Sequence, residues 1–490
     1  MTWPAVRSSA SSKPTEFCIH RGRLHRRPFS FSVRFSAAER VMATVSLDWS
    51  KHPGRELVRL AWPITISMIS YAGMTLASTA FVARVGSDEL AGVGLAGIVG
   101  FALLCFGVGM LRGAKTLVSQ AIGAGRGDRI PELLGAAVAL AIGFGAVATL
   151  AGQAVGPLLV ALSASPRAGG FAAEYLAIRS LGSIGVLLYG ALREASYGVG
   201  DSQSPMRASL AGNAVNIALD ATLILGLDWG VQGAAIAAIC GNATEVAMLA
   251  WPMRKRLRGM MVTRRALRDT WSQGLPNGVQ FVMEVGAFLL LTLMIAGMSA
   301  TDAAAHELVL HVINVSFLPA HALAEAAAVL VGQAVGANRD ALVNVVAKRA
   351  LAIAAAYSSA CLVTFAIAGG AIASALSAGD ATLAGRAALL LQVSLAFLVA
   401  DASNVIARGV LRGAGDVRYA AIVGTVTSWV TTPPLAYLFG IVLGMGAVGG
   451  WIGIATEIVV GAGLFWLRVW RGGWRGAAAA SRRAMSGTAV

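Results

Sequence analysis

The stretch that decides the fold occurs twice in this chain. Residues 117–126 read Leu-Val-Ser-Gln-Ala-Ile-Gly-Ala-Gly-Arg, and residues 330–339 read Leu-Val-Gly-Gln-Ala-Val-Gly-Ala-Asn-Arg, so seven of ten positions are identical at an offset of 213. The same offset relates Pro63 to Pro276. An offset of 215 relates a second set of residues, Arg193, Gly198, Gly200 and Asp201, to Arg408, Gly413, Gly415 and Asp416. The chain is therefore an internal duplication, and we expect two halves of similar architecture.

The composition excludes a soluble protein of this length. Of 490 residues, 57% are hydrophobic and 13% are charged, whereas an ordinary soluble domain has about 25% charged residues. The 58 glycines and the low aromatic content of 7% are typical of closely packed membrane helices. The sequence therefore indicates an integral membrane protein.

Runs of about 20 mostly apolar residues predict the membrane-spanning helices. In the first half these runs are 60–83, 90–111, 133–163, 175–192, 207–227 and 229–252. In the second half they are 271–299, 304–336, 350–377, 387–407, 419–442 and 447–467. Because six spans return the chain to its starting side, the two halves share one orientation. The predicted fold class is an all-α polytopic membrane protein with twelve transmembrane helices in two parallel six-helix repeats.

The net charge of +15 reports orientation rather than a nucleic-acid partner. Basic residues concentrate before the first helix, between helices 6 and 7, and after helix 12, which predicts that both termini are cytoplasmic. The predicted organisation is a basic cytoplasmic tail (1–54), an amino-terminal lobe (55–253), a basic cytoplasmic linker (254–269), a carboxy-terminal lobe (270–470) and a cytoplasmic tail (471–490).

Residues 1–41 form a separate segment with eight Lys and Arg against two Glu. Two interpretations stay open: an organellar transit peptide, or translated upstream sequence with Met42 as the true start. The second is favoured because a start at Met42 leaves a short tail of ordinary length before the first helix. We expect a bacterial cytoplasmic (inner) membrane protein, or an organellar membrane protein if residues 1–41 are a transit peptide.

Carboxylates inside predicted spans are the candidate functional groups, since each costs about 2.5–3.5 kcal/mol at a helix centre on insertion scales. They are Asp220, Glu284, Glu325 and Asp401. Asn216 lies four residues before Asp220 on the same helix face. Together they offer oxygen ligands for Na⁺, or a proton site with a hydrogen-bonding neighbour. The alternative is a buried Asp satisfied by a neighbouring helix.

The duplication singles out two of these acids. Glu284 and Asp401 align with Tyr71 and Val186 in the other half, so the duplication copied the scaffold without copying these carboxylates. That difference favours a function in cation or substrate binding. The alternative is a structural pair with inward-facing Arg or His groups.

Several motifs together resemble the multidrug and toxic compound extrusion (MATE) family. They are Gln-Ala-x-Gly-Ala after helices 2 and 8, Gly-x-Gly-Asp after helices 4 and 10, Asn216-Ile-Ala-Leu-Asp220 and Ala304-Ala-His-Glu307. The resemblance extends from about residue 55 to residue 475. It implies a V-shaped, twelve-helix efflux antiporter that is driven by Na⁺ or H⁺ and exports mostly cationic, amphipathic compounds.

The resemblance also implies site residues. Asn216 and Asp220 match an amino-terminal-lobe site, although the family's companion Asp aligns with Ser78 here, which weakens that site. Glu284 and Asp401 match a carboxy-terminal-lobe cation site, and either pair is a candidate for bound Na⁺. We expect three supporting residues. His306 either shapes that site or is hydrogen-bonded in the core, and Glu307 replaces the family's Gln. Glu325 is a possible partner of Arg112 and Lys115.

Motifs of other function classes are absent or misplaced. Gly92–Gly97 fits G-x-G-x-x-G but lies inside helix 2, where helix packing explains it. His306 and His311 are five residues apart, which puts them on different faces of a helix, unlike a zinc-protease pair. The sequence has no G-x-S-x-G motif and no phosphate-binding loop. We therefore expect no enzyme activity, no cofactor beyond the coupling ion, and no nucleotide or nucleic acid as partner.

The predicted partners are the lipid bilayer and small organic cations, and we expect a monomer. The nearest alternative is a flippase or exporter of a lipid-linked saccharide from the same superfamily. Such a protein is expected to have a more basic central cavity for pyrophosphate, whereas helices 5, 7 and 10 here carry acids.

Overall fold

The computed structural model describes residues 47–163 and 165–486. The predicted segment 1–41, the rest of the first tail up to residue 46, and the last four residues of the predicted tail 471–490 lie outside the described residues. Within the described part the chain is α-helical apart from short turns, 3₁₀-helical segments and two π-helical segments.

The amino-terminal lobe contains eight helices. They are α1 (Pro53–Val82), α2 (Ser87–Gly123), α3 (Ile130–Ala154), α4 (Gly156–Leu162), α5 (Pro166–Ser180), α6 (Ser183–Gly198), α7 (Gln203–Asp220) and α8 (Gly230–Arg258). A π-helical segment, Ala221–Gly226, continues α7 without a break.

The carboxy-terminal lobe contains seven helices. They are α9 (Arg264–Met298), α10 (Ala300–Gly336), α11 (Asp340–Leu376), α12 (Ala381–Leu395), α13 (Leu398–Gly413), α14 (Val417–Leu435) and α15 (Ala447–Trp470). A π-helical segment, Ala436–Val442, continues α14. A final helix, α16 (Arg475–Ser486), follows the lobe.

The predicted fold class is confirmed. Nine of the described helices are long and apolar enough to cross a membrane, and the bent pairs α5–α6 and α12–α13 add two further spans. Helix α14 with its π-helical continuation occupies the remaining place. Each lobe thus has six passes in the same order, as the duplication predicts.

The duplication reproduces local detail as well as helix order. Helices α2 and α10 are both 37 residues long, and their ends are related by the offset of 213 that the repeated stretch shows. The bends at 180–183 and 395–398 measure 50° and 53° and are related by the offset of 215. Both halves also place a π-helical segment directly after the helix that follows the bent pair.

Several helices extend beyond their predicted ends, among them α2, α6 and α13. Helix α2 continues from residue 111 to Gly123, α6 from residue 192 to Gly198, and α13 from residue 407 to Gly413. The prediction used charge-free runs, and each of these helices continues through basic residues, namely Arg112, Lys115, Arg193, Arg408 and Arg412. These side chains lie in the protein interior, so they do not end the helix.

The two lobes meet along the carboxy-terminal half of α2. This half packs against α9 and α10, while α1 packs against α10. Glycines allow the backbones to touch: a Cβ on Gly113 would lie 2.7 Å from the Gly274 nitrogen, and one on Gly109 would lie 2.8 Å from the Asn277 carbonyl oxygen. Close approach through small residues is a common way to join membrane helices.

Helix α16 lies across this same end of the bundle and contacts both lobes. Ser481 hydrogen-bonds to Gln120 of α2, and Arg482 forms an ion pair of 2.8 Å with Asp340 of α11. The carbonyl oxygen of Ala484 accepts a hydrogen bond of 3.2 Å from Arg129. The end of the bundle that carries the described termini is therefore also the end where the lobes are joined.

Candidate ion and substrate sites

The amino-terminal lobe brings Ser78, Asn216 and Asp220 together. Asp220 is the last residue of α7 and is 0% exposed, and Asn216 is 3% exposed one turn earlier. The Ser78 hydroxyl on α1 hydrogen-bonds to the Asp220 carboxylate and lies 3.0 Å from Asn216 Oδ1. The predicted pair thus meets the Ser that aligns with the family's companion Asp.

This group offers a hydroxyl, an amide and a carboxylate oxygen as ligands, and no cationic side chain of the described residues is paired with it. Asp220 Oδ1 is buried and has no hydrogen-bond partner among the described residues, and none of them forms an ion pair with Asp220. A buried acceptor without a partner is costly unless a proton or cation reaches it. The π-helical segment begins directly after Asp220, and single π-helical turns are frequent at functional sites. The group fits a proton or a hard cation such as Na⁺.

In the carboxy-terminal lobe, Glu284 is paired with an arginine. Glu284 Oε1 on α9 forms an ion pair of 2.9 Å with Arg408 Nη1 on α13. The side-chain amide of Gln280 donates a second hydrogen bond of 2.8 Å to the same oxygen. Glu284 is therefore compensated by a charge of the protein itself.

Asp401 does not join Glu284 in a hydrogen-bonded pair. Its half-buried side chain makes no hydrogen bond or ion pair with any described residue, and its charge interacts with those of Arg408 and Glu457. Glu457 of α15 accepts a hydrogen bond of 2.5 Å from the Thr432 hydroxyl. Arg408 is thus the group that Glu284 and Asp401 share.

The two other residues predicted near that site lie apart from it. His306 is 1% exposed, and its ring is held by Trp451 Nε1 at 3.0 Å and by the Thr292 hydroxyl at 3.3 Å. This placement agrees with the interpretation of His306 as a hydrogen-bonded core residue. Glu307 is exposed and has no hydrogen-bond or ion-pair partner in the described part of the chain.

Glu325 belongs to a third group, which lies between the lobes. Glu325 of α10 pairs with Lys115 of α2, and Lys115 also lies 3.2 Å from Glu194 of α6. Arg193 lies 3.1 Å from Glu194. We call this group, with the charged residues that adjoin it, the interlobe charge cluster: Arg112, Lys115, Arg193, Glu194, Glu284, His321, Glu325, Arg408 and Arg412.

The cluster is more basic than the sequence analysis assumed. It contains five Lys and Arg side chains against three carboxylates. The prediction weighed the acids of helices 5, 7 and 10 and placed the basic residues at or beyond helix ends. The charge argument against a saccharide flippase was therefore incomplete, because the helices carry these cations inside the fold.

The predicted sites left out several buried or half-buried carboxylates. Among them are Glu194, Glu245 and Glu457, which lie within α6, α8 and α15. Glu245 is 5% exposed and accepts a hydrogen bond of 3.1 Å from Asn242. The rule that selected Asp220 and Glu284, a carboxylate inside an apolar helix, would have found Glu245 and Glu457 too.

A comparison with known families matches both halves of the chain. A family model described as MatE matches residues 63–222 and 276–438, which are the two repeats. A probable multidrug resistance protein NorM from Bradyrhizobium diazoefficiens is 32% identical over 440 residues, covering 84% of this chain and 92% of that protein. A probable NorM from Pseudomonas putida is 29% identical over 427 residues, covering 83% and 92%.

A comparison with solved structures supports the same fold. A multidrug resistance MATE family transporter of the MOP superfamily, in an outward-facing conformation, superposes with a TM-score of 0.79 at 23% identity, covering 88% of this chain and 97% of that one. Bacterial relatives and apolar helices support a bacterial inner membrane protein, and the matches do not favour a saccharide flippase. The chain belongs to the MATE family of multidrug efflux transporters, which are membrane proteins and not enzymes.

Proposed function

We propose that the protein is a secondary active antiporter that exports cationic or amphipathic organic compounds in exchange for Na⁺ or H⁺. The observation that carries the proposal is the buried group of Ser78, Asn216 and Asp220, where a carboxylate oxygen lacks a partner. A carboxylate in an apolar lobe without a protein countercharge calls for a mobile one. A proton or Na⁺ is small enough to supply it.

The surrounding oxygens suit either coupling ion. Ser78 and Asn216 can coordinate Na⁺ beside the Asp220 carboxylate. They can also hydrogen-bond to a protonated Asp220, since a hydroxyl and an amide each both donate and accept. Binding and release of the ion would then switch the charge of α7 where it passes into the π-helical segment.

The carboxy-terminal lobe supplies the acids for an organic cation. Asp401 has no hydrogen-bonded partner among the described residues, and an ammonium group could compete with Arg408 for Glu284. The two sites are coupled if the inorganic ion and the organic cation bind best to different arrangements of the lobes. Each ligand then lowers the affinity of the protein for the other.

Alternating access would proceed by rocking of the two lobes. If both termini are cytoplasmic, the junction of α2 with α9 and α10 closes the cytoplasmic side of the transporter. The glycine contacts at Gly109 and Gly113 involve backbone atoms, so no large side chain has to disengage at these two positions. The Lys115–Glu325 ion pair between α2 and α10 would have to part.

The test is transport by the full-length protein in proteoliposomes, with a fluorescent cationic dye and an imposed pH gradient or Na⁺ gradient. We expect one of the two gradients to drive dye movement and Asp220→Asn to abolish it. Asp401→Asn and Glu284→Gln should instead weaken dye binding while ion binding persists.

Glu307→Gln is the matched control, since it also replaces a carboxylate by an amide, but at an exposed position of α10. If neither gradient drives any organic cation in the unmodified protein, antiport of cations is wrong. If Asp220→Asn retains full coupling, the antiporter remains but its ion site lies elsewhere.

A further inference from the structure

The interlobe charge cluster has two arginines without a carboxylate. Its three carboxylates are all engaged, Glu194 and Glu325 by Lys115 with help from Arg193, and Glu284 by Arg408. Arg112 and Arg412 form no ion pair with any described residue. The interface of the lobes therefore holds two guanidinium groups without a paired carboxylate, and the charges of Glu194 and Glu284 that act on both are already shared with other cations. An excess of positive charge in a half-buried place is costly unless an anion joins it.

The hydrogen bonds of these arginines are also incomplete. Arg412 donates one bond of 3.1 Å to the neutral Gln280 Oε1, and its Nε is buried without a partner. The Nε of Arg408 is buried and unpartnered as well. Buried donors of this kind normally have an acceptor, and an oxyanion would supply it.

The two guanidinium groups approach from opposite lobes. Arg112 belongs to α2 and Arg412 to α13, and they reach adjacent residues of α9, since Arg112 lies over the Phe281 ring and Arg412 donates to Gln280. The duplication does not repeat this convergence, because Glu325 occupies the position equivalent to Arg112 and Tyr197 the position equivalent to Arg412. An anion between them would bridge the lobes.

An aromatic surface adjoins this pair. The Arg112 guanidinium lies over the ring of Phe281 at 4.9 Å from its centroid, and Phe281 also packs edge-on against Phe101 at 5.9 Å. A ligand whose oxyanion reached Arg112 would therefore place its neighbouring atoms against aromatic rings. Such a surface suits a flat apolar body rather than a hydrated inorganic ion.

We propose that Arg112 and Arg412 form a binding site for the carboxylate of an amphipathic, aromatic organic anion at the interface of the lobes. The site extends the proposed function, on which it rests, to substrates with a negative group, and it is separate from the Asp220 group. The planar fork of each guanidinium can bind a carboxylate through two parallel hydrogen bonds. The aromatic part of the ligand then packs beside Phe281.

The experiment is calorimetric binding to the full-length protein in nanodiscs with three probes: 2-naphthoate, 2-naphthylmethylammonium and chloride. We expect naphthoate to bind, and Arg112→Gln and Arg412→Gln each to raise its Kd by about 10-fold or more, because charge-assisted bonds are lost. Arg386→Gln is the matched control, since Arg386 is 52% exposed and lies on α12. It should leave the Kd of naphthoate unchanged.

Conservative variants guard against loss of the fold. Arg112→Lys and Arg412→Lys keep the charge but remove the fork, so they should weaken naphthoate binding less than the Gln variants do while retaining the thermal transition. Equal naphthoate binding in the unmodified protein and all four variants would overturn the site. Binding of chloride without naphthoate, or of both naphthyl probes with equal affinity in every variant, would also overturn it.

The failure of this proposal is distinguishable from failure of the antiporter. Asp220→Asn should abolish gradient-driven transport of a cationic dye and leave the Kd of naphthoate unchanged. If naphthoate binding depends on Arg112 and Arg412 while no gradient drives transport, the anion site stands and the coupling proposal fails. If an ion gradient drives transport normally and naphthoate does not bind, the coupling proposal stands and the anion site fails.

Discussion

The two lobes bury carboxylates in opposite electrostatic surroundings. Asp220 in the amino-terminal lobe lies among the oxygens of Ser78 and Asn216 and has no cationic side chain paired with it. Glu284 in the carboxy-terminal lobe is held by Arg408 at 2.9 Å. The first carboxylate has no countercharge among the described residues, whereas the second is paired within the fold.

This difference changes which lobe is the better candidate for ion coupling. The sequence favoured Glu284 and Asp401, because the duplication did not copy these acids, and Ser78 in place of the family's companion Asp weakened the amino-terminal site. Ser78 nevertheless reaches Asp220 and supplies an oxygen, and no arginine competes there with an incoming cation. We therefore expect the absence of a paired cation to matter more for ion binding than a second acid does.

The largest effect is expected from Asp220→Asn, which removes the one charge in the amino-terminal group. Without a titratable or cation-binding carboxylate, ion-driven transport should be abolished, because the coupling ion loses the one charge in the group that can hold it. Ion-driven dye uptake in proteoliposomes measures it. Retention of the thermal transition would show that the fold is intact, and unchanged uptake would contradict the comparison.

Arg408→Gln should have the next largest effect, this time on stability. It leaves Glu284 half-buried without its cation, which we expect to lower the free energy of unfolding by about 2–3 kcal/mol. The double variant Arg408→Gln with Glu284→Gln should recover most of that loss. Thermal unfolding in detergent measures both, and equal losses in the single and double variants would show that the pair is not coupled.

Ser78→Ala should have a smaller effect, on ion affinity alone. It removes one hydroxyl from the Asp220 group, and a hydrogen bond to a charged group contributes about 1.5–3 kcal/mol. We expect about 10-fold weaker binding of the coupling ion with unchanged maximal transport. A titration of transport rate against ion concentration would reveal this shift, whereas a lower maximal rate at saturating ion would argue for a structural role.

Glu307→Gln should have the smallest effect of the set. The side chain is exposed and unpaired in the described part of the chain, so transport should stay within about twofold and stability within about 0.5 kcal/mol of the unmodified protein. A large change in the same dye uptake would place Glu307 in a state of the transporter in which its surroundings differ.

The repeat allowed much of the fold to be predicted. The offset of 213, which relates seven identical residues, also relates α2 to α10. The offset of 215 relates one bent helix pair to the other. A duplication copies helix lengths, turns and bends together, so the repeated stretch predicts that the two halves share one architecture. Composition alone then placed the chain in a membrane.

The sites were harder to predict because they depend on contacts between distant parts of the chain. Glu284 and Arg408 are 124 positions apart, and Lys115 and Glu325 are 210 apart. Charge-free runs also ended the predicted helices at Arg112, Arg193 and Arg408, which concealed the interlobe charge cluster. A helix can continue through a charge when another helix supplies a partner, and a single sequence does not show that partner.

Helix α16 has a consequence for observing the transporter at work. It is covalently continuous with the carboxy-terminal lobe through α15, yet Gln120, Arg126 and Arg129 of the amino-terminal lobe hold its far end. A movement that parts the lobes at this end would break either those three contacts or the contacts of α16 with Arg265 and Asp340 of the carboxy-terminal lobe. A fluorophore on α16 would therefore report a separation of the lobes as a change in its distance to α2 or to α11, and the one that changes identifies the lobe with which α16 moves.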